Sequence, residues 1–287
     1  MRTELVSEPG DPGRPNEDFA SVGLPASGQG GSLVVLDGVT PPRGDYGCSH
    51  PVPWFSARLG GALTELSVSQ EDLPLREVLS RAIARVAEAH AATCDLSHPR
   101  TPQATVVLAR WTASEVEYLV LSDSALLVES PTGEVTALLD DRLSRLPRGA
   151  LATDAVADAT VRNKEGGFFT AAADPSAAFR AVTGTIPRAS VRSLAALTDG
   201  ATRWVEKFRM GDWAELFALV RDDGAAALVE RVRALERADA RERLWLGRSK
   251  THDDATVVLV ELRETRPRQN PHPSSTHDDA PVAPSES

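Results

Sequence analysis

Three features of the chain predict an α+β fold in which helices and strands are segregated. Two helix-like segments follow one another before residue 94, with no strand between them. Four Val- and Leu-rich segments then crowd into residues 104–138. Their connections are too short for the crossovers that parallel neighbours need, so antiparallel pairing is expected. A doubly wound sheet would instead alternate strand and helix along the chain.

Taken in order, the expected strands are 32–36, 104–111, 116–121, 125–129, 134–138, 191–197 and 255–262. Each is an apolar run bounded by Gly, Asp, Pro or Ser. A short FASV stretch precedes the first of them. Phe55, Leu59, Leu63 and Leu66 recur at helical spacing, although Gly60 and Gly61 weaken the pattern. Leu75, Val78, Leu79, Ala82, Ile83, Val86 and His90 mark an amphipathic helix over 74–93, with Pro74 in its first turn. Segments 213–221 and 225–241 are two more helices. From Arg231 to Arg243, arginines interleave with Glu and Asp and read as a salt-bridged solvent face. Residues 265–287 are rich in Pro, Ser and polar side chains, and this composition predicts a disordered tail. That leaves residues 1–264 as one domain.

Composition narrows the function classes. Of 287 residues 41% are hydrophobic, enough for a sizeable core. The 31 basic against 41 acidic residues give a net charge of −10, which argues against nonspecific binding to nucleic acid or anionic membrane. No apolar run reaches the ~18–20 residues of a membrane span. The N-terminus has no basic-then-apolar signal pattern. Two cysteines, Cys48 and Cys94, are expected to make neither a disulfide framework nor a four-ligand zinc site. A cytoplasmic, monomeric protein is expected.

Chemistry is concentrated in carboxylates at strand ends. An LVVL run leads into Asp37-Gly38, and SLAAL leads into Thr198-Asp199-Gly200. Asp253-Asp254 opens ATVVLVEL, Asp123 follows YLVLS, and Glu17-Asp18 precedes FASV. A single Asp-Gly after a strand is most simply a turn, because Asp accepts local backbone hydrogen bonds and Gly tolerates positive φ. Several carboxylates at one place repel unless they are protonated or neutralised. Divalent cations neutralise such a set, and all-oxygen ligands select Mg²⁺ or Mn²⁺. Two such ions can share one Asp and hold a hydroxide suited to attack on phosphorus.

These motifs, in this order, resemble the metal-dependent Ser/Thr protein phosphatases of type 2C, or PPM family. Arg14-Pro15-Asn16-Glu17-Asp18 resembles the family's Arg…Asn-Glu-Asp motif, and Val34 to Gly38 resembles Val-x-Asp-Gly. Ala104-Thr105-Val106-Val107 is similar to the buried strand after the Gly-Ser/Thr-Thr step. Leu121 to Ser124 is similar to Gly-Asp-Ser, Leu197 to Gly200 to Ser-Asp-Gly, and Asp253 to Thr256 to Asp-Asn-x-Thr. Phe179, Gly184 and Pro187 fit the segment before Ser-Asp-Gly more loosely.

The resemblance implies a four-layer α-β-β-α sandwich of two antiparallel sheets flanked by helices. It implies two Mg²⁺ or Mn²⁺ ions with a third, weaker one, and hydrolysis of phosphoserine and phosphothreonine in proteins through a metal-bridging hydroxide. Asp37 would bridge both metals and Gly38 would offer its carbonyl to one. Asp199 and Asp253 would hold the second ion. Glu17 and Asp18 would act directly or through water, and Asp123 with Asp199 would match the third position. Arg14 would hold the substrate phosphate.

Departures from the family pattern cluster around this set. Val39-Thr40-Pro41-Pro42 replaces the usual glycine-rich or histidine-containing continuation. Arg14 stands three residues before Glu17 where the family has four. Ser122 replaces Gly, Ala125 replaces Arg, and Asp254 replaces Asn. An asparagine at 254 is therefore expected to preserve or raise activity. The alternative reading is a PPM-fold pseudophosphatase or phosphopeptide-binding regulator with little turnover.

The remaining reactive side chains have simpler readings. The six histidines show no metal spacing. His90 is expected at the core or its rim; His252, which adjoins Asp253, is expected in a solvated loop, with help in proton transfer as the alternative. Cys48 and Cys94 are expected to be ordinary thiols. Cys94 has Arg100 six residues on, but it lacks the glycines that would cradle a phosphate.

Overall fold

The computed structural model describes residues 1–41, 44, 46–70, 72–147, 149–242 and 251–262. One sheet runs in the order β1 (Arg2–Glu8), β10 (Ala255–Glu261), β9 (Ser193–Leu197), β6 (Ala125–Glu129), β7 (Val135–Leu138). The other runs β2 (Phe19–Gly23), β3 (Gly31–Leu36), β4 (Val106–Trp111), β5 (Glu115–Leu121), β8 (Val182–Pro187). Every pair within the sheets is antiparallel. Helices α1 (Val52–Ser69) and α2 (Leu75–His90) cover the second sheet. Helices α4 (Asp199–Glu206), α5 (Trp213–Asp223) and α6 (Ala225–Glu242) cover the first. A short α3 (Asp154–Thr160) lies in the long connection from β7 to β8.

Alternation along β3 shows why four layers form. Val34 and Leu36 pack with Leu59, Leu63, Leu79 and Ile83 of α1 and α2. Leu33 and Val35 face the other way, onto Leu126, Leu194 and Val258 of the opposite sheet. Successive side chains point to opposite faces, so a strand covered on both sides reads as an unbroken apolar run. The outer face of the first sheet buries Leu127, Ala195 and Val257 against Phe217, Leu228 and Val232.

The strand expectations at 125–129 and 255–262 lie within a residue of what is observed, and α2 ends at His90, three residues short of the expected end. Gly60 does not break α1; it admits the Phe19 ring, which lies 2.1 Å from where a Cβ would sit. The four closely spaced strands pair antiparallel as expected, β4 with β5 and β6 with β7, and Ser122-Asp123-Ser124 carries the chain from one sheet to the other. Strands β1, β2 and β8 and helices α3 and α4 lack strong periodicity and are structural additions. The solvent-face reading of α6 fails in part. Arg231 is exposed, but Glu236 is fully buried and Arg233 mostly so. The proposed tail, with its second Thr-His-Asp-Asp-Ala at 276–280, lies outside the described residues.

Candidate metal centre

Antiparallel register gathers the acidic strand ends. Phe19 pairs with Leu36, so Asp18 before β2 stands beside Asp37 after β3. Val257 pairs with Leu197, so Asp253 before β10 stands beside Asp199 after β9. Val106 pairs with Leu121, so Thr105 meets the turn that carries Asp123. The two sheets meet at the same end: Asp18 Oδ2 accepts from Thr198 Oγ1, just after β9, at 3.0 Å and from Thr256 Oγ1, in β10, at 2.7 Å. Asp37, Gly38, Asp123, Asp199 and Asp253 line one open cleft of about 300 Å³.

Two glycines are needed there for close approach, not for a turn. A Cβ on Gly38 would lie 2.4 Å from the Glu17 carbonyl oxygen, and one on Gly200 would lie 1.9 Å from that of Asp254. Neither has positive φ. This corrects the turn-only reading of both Asp-Gly pairs. Ser122, by contrast, holds φ 70° where the family has glycine, and its amide donates to Asp140 Oδ2 at 2.8 Å.

The electrostatics fit a cation site. Desolvation, then the charge of Asp199, Asp18, Asp123 and Asp253, pushes Asp37 well above the usual carboxylate range. Desolvation raises Asp18 to about 8 against the hydrogen bonds of Thr256 and Thr198. Asp199 is raised to about 7, again mainly by desolvation and then by Asp123 and Asp253. Desolvation raises Asp123 as well, against hydrogen bonds from its own backbone and from Ser122 and, least, the charge of Arg162. Asp18 Oδ1 is buried and has no hydrogen-bond partner among the described residues. A set of mutually repelling carboxylates with one orphaned oxygen is what hard divalent cations satisfy.

Unfolded carboxylates titrate near ~3.9, so between about pH 4 and 8 the metal-free fold binds protons that the unfolded chain has released. Its stability therefore falls as pH rises through that window. Calorimetry of metal-stripped protein is expected to show a melting temperature that decreases from pH 5 towards pH 8, and Mn²⁺ at the upper end restores it.

A family model described as Protein phosphatase 2C matches residues 11–244. The chain belongs to the protein phosphatase 2C family. No curated protein sequence matches it significantly. Among solved structures, the Ser/Thr phosphatase Stp1 of Staphylococcus aureus is similar at 14% identity and TM-score 0.57, over 92% of this chain and 95% of that one. The Mycobacterium tuberculosis Ser/Thr phosphatase PstP/Ppp is 17% identical at TM-score 0.57, over 91% and 98%. A serine-threonine phosphatase 2C from Toxoplasma gondii is 15% identical at TM-score 0.57, over 91% and 94%. At such identities the likeness establishes the sandwich fold.

Within this type 2C frame, the expected ligand positions divide into those in the cleft and those around it. Glu17 sits behind the cleft-lining residues, where its Oε2 accepts a hydrogen bond from Thr40 Oγ1. Asp254 Oδ1 accepts from Gly10 N at 2.8 Å and its Oδ2 from Glu17 N at 2.7 Å. It clamps the N-terminal loop under the site. Asparagine could accept only one of these bonds, so Asp254→Asn is expected to lower stability by about 1 kcal/mol. This cost in stability is separate from the preserved or raised activity expected from the family pattern, and a chemical denaturation midpoint measures it. Arg14 is exposed in a separate groove with Glu8, Asp11, Arg233 and His252, and it does not line the Asp37 cleft.

Sequence patterns did not expose the residues that position this set. Thr105 Oγ1 accepts from Asp37 N at 3.2 Å, and Thr105 N donates to Asp37 O at 2.9 Å. Arg203 Nη2 donates to Asp253 Oδ2 at 2.9 Å while its Nη1 donates to Glu236 Oε1 at 2.6 Å. Arg233 binds Glu236 Oε2 at 2.8 Å and the Asp253 carbonyl at 2.7 Å. His252 Nδ1 lies 2.9 Å from Glu236 Oε2, so this residue is tied into the network and not free in a solvated loop. Arg100 and Arg162 also line the cleft. Both hold Asp158, Arg100 at 2.6 Å and Arg162 through Nε at 3.1 Å. The outer nitrogens of Arg162 make no hydrogen bond among the described residues.

Proposed function

We propose that the chain is a Mg²⁺- or Mn²⁺-dependent phosphatase acting on phosphoserine and phosphothreonine in proteins. The observation that carries this reading is the convergence of desolvated carboxylates from both sheets on one cleft that also contains a cation, Arg162. Asp37, with the Gly38 carbonyl, Asp199 and Asp253 would hold two ions, with Asp18 and Glu17 behind them and Asp123 beside a weaker third. Bound ions would supply Lewis-acid polarisation of the phosphoryl group and an activated water. Thr105 fixes the Asp37 backbone, and Arg203 fixes the Asp253 carboxylate. Leu143, Leu151 and Phe168 give the cleft apolar walls for the segment flanking the phosphorylated residue.

Arg162, rather than Arg14, is assigned to the phosphate. Its Nε is anchored by Asp158 and its plane by the Phe168 ring at 5.0 Å, which leaves the outer edge for phosphate oxygens. Arg162→Ala is expected to raise KM for a phosphopeptide roughly 10- to 100-fold, the worth of a charge-assisted hydrogen bond, while Arg14→Ala stays within about a factor of two. The opposite ranking in steady-state kinetics returns the role to Arg14. The second reading, a phosphopeptide-binding regulator, draws on Ser122 and Ala125 standing where the family has Gly and Arg. It predicts phosphopeptide binding without turnover in metal-loaded protein.

A further inference from the structure

Four side chains outside the carboxylate centre converge as a different kind of ligand set. Cys48 and His50 lie in the loop between β3 and α1, His90 is the last residue of α2, and Cys94 lies in the turn just after it. One ligand atom from each falls within 4.8 Å of all the others. Cys48 Sγ lies 3.4 Å from His90 Nδ1 and 3.8 Å from His50 Nδ1, and Cys94 Sγ lies 3.4 Å from His50 Nδ1. The two sulfurs are 2.9 Å apart.

We propose that Cys48, His50, His90 and Cys94 form a structural zinc site that staples the loop after β3 to the end of α2. Zinc arms of ~2.3 Å to sulfur and ~2.0 Å to nitrogen, set at tetrahedral angles, give S···N edges of about 3.5 Å and an S···S edge of about 3.8 Å. The three observed S···N distances bracket the first value, and the sulfurs need to part by less than an ångström to meet the second. The imidazoles separate zinc from a simple disulfide. A disulfide needs two sulfurs ~2.05 Å apart and gives no reason for two ring nitrogens to aim at them. Both rings are held in place: His50 stacks on Trp54 at 4.1 Å between centroids, and His90 is buried with its Nδ1 turned to the cluster. Two thiolates and two imidazoles with no open position match closed structural sites rather than catalytic ones. The end of α2 also presents the negative pole of its helix dipole to the cation.

The grouping of these four side chains departs from the expectations of two ordinary thiols and of no four-ligand zinc site. The Cys-x-His and His-x₃-Cys pairs are separated by 39 residues of helix and loop, so the four-ligand set forms only in three dimensions.

The staple bears on the carboxylate cleft without belonging to it. The same loop leaves Asp37 and Gly38, and the chain after Cys94 carries Arg100 into the cleft. The two segments already meet where Asp95 N donates to Gly47 O at 2.6 Å and Val39 N donates to Gln103 O at 2.9 Å.

The test uses the full chain, purified with a thiol reductant and trace zinc, dialysed, and assayed for metal and for cobalt spectra after exchange. The expected result is one tightly held zinc per chain. Cobalt replacing it gives thiolate-to-metal charge transfer and the strong visible absorption of a tetrahedral site. Cys48→Ser roughly halves the charge-transfer band, Cys48→Ser/Cys94→Ser abolishes it, and Asp37→Asn leaves it intact. Folded wild-type protein that retains no zinc and shows no thiolate band with cobalt overturns the proposal. A Cys48–Cys94 disulfide formed under these reducing conditions does so too, as does a band that survives in a Cys48→Ser/Cys94→Ser protein. None of these readouts depends on phosphatase turnover.

Discussion

Asp37→Asn is expected to lower phosphopeptide turnover by at least about a thousandfold, roughly 4 kcal/mol of transition-state stabilisation, while making the metal-free protein more stable. The two effects have one cause. Asp37 is the most crowded carboxylate of the centre, facing the charge of Asp199, Asp18, Asp123 and Asp253. A neutral amide removes that repulsion but cannot serve two cations as a carboxylate can. Steady-state kinetics with saturating Mn²⁺ and calorimetry of stripped protein read the two arms separately. A variant that simply misfolds loses both activity and stability, so the opposite signs distinguish a ligand role from a packing role.

Glu236→Ala is expected to cost about 3–5 kcal/mol of stability, because it leaves buried guanidinium charge without its acceptor. Glu236 is fully buried and accepts from Arg203 at 2.6 Å, Arg233 at 2.8 Å and His252 at 2.9 Å. Arg203 in turn holds Asp253, so Mn²⁺ affinity is expected to fall along with stability. Chemical denaturation and metal titration of the same sample check both. Glu236→Gln keeps an acceptor oxygen and should recover much of the loss. An alanine variant within about 0.5 kcal/mol of the parent, the range of ordinary surface changes, would mean that the network is ornamental.

These two sites differ in how far the sequence discloses them. The carboxylates at 37, 123, 199 and 253 are legible because each ends or begins an apolar run, and strand ends are where antiparallel register must bring residues together. Their supports are not legible in that way. Glu236 sits in a helix whose Arg and Glu spacing is the same whether that face meets water or protein. Contacts of α6 with Arg203 of α4 and with His252 and Asp253 just before β10 turn Arg233 and Glu236 inward. Arg162 lies in the long β7–β8 connection, which has no periodic signal, and so an arginine nearer the Glu-Asp motif, Arg14, is the natural choice from sequence. Strand β1 reads as polar because its side chains are mostly exposed at a sheet edge, yet it pairs with β10 over seven positions. The Cys/His cluster is hardest to see, since α1 and most of α2 intervene between its two pairs of ligands.

The most direct test of the phosphatase reading is hydrolysis of a phosphothreonine peptide by the purified chain. It is measured after chelation with only the Cys/His site refilled with zinc, and again after Mn²⁺ is added. Phosphate release that is absent in the first state, appears with Mn²⁺ and is lost in Asp37→Asn is the predicted outcome. Folded, Mn²⁺-loaded protein that binds the peptide but releases no phosphate contradicts the account and establishes the regulator instead.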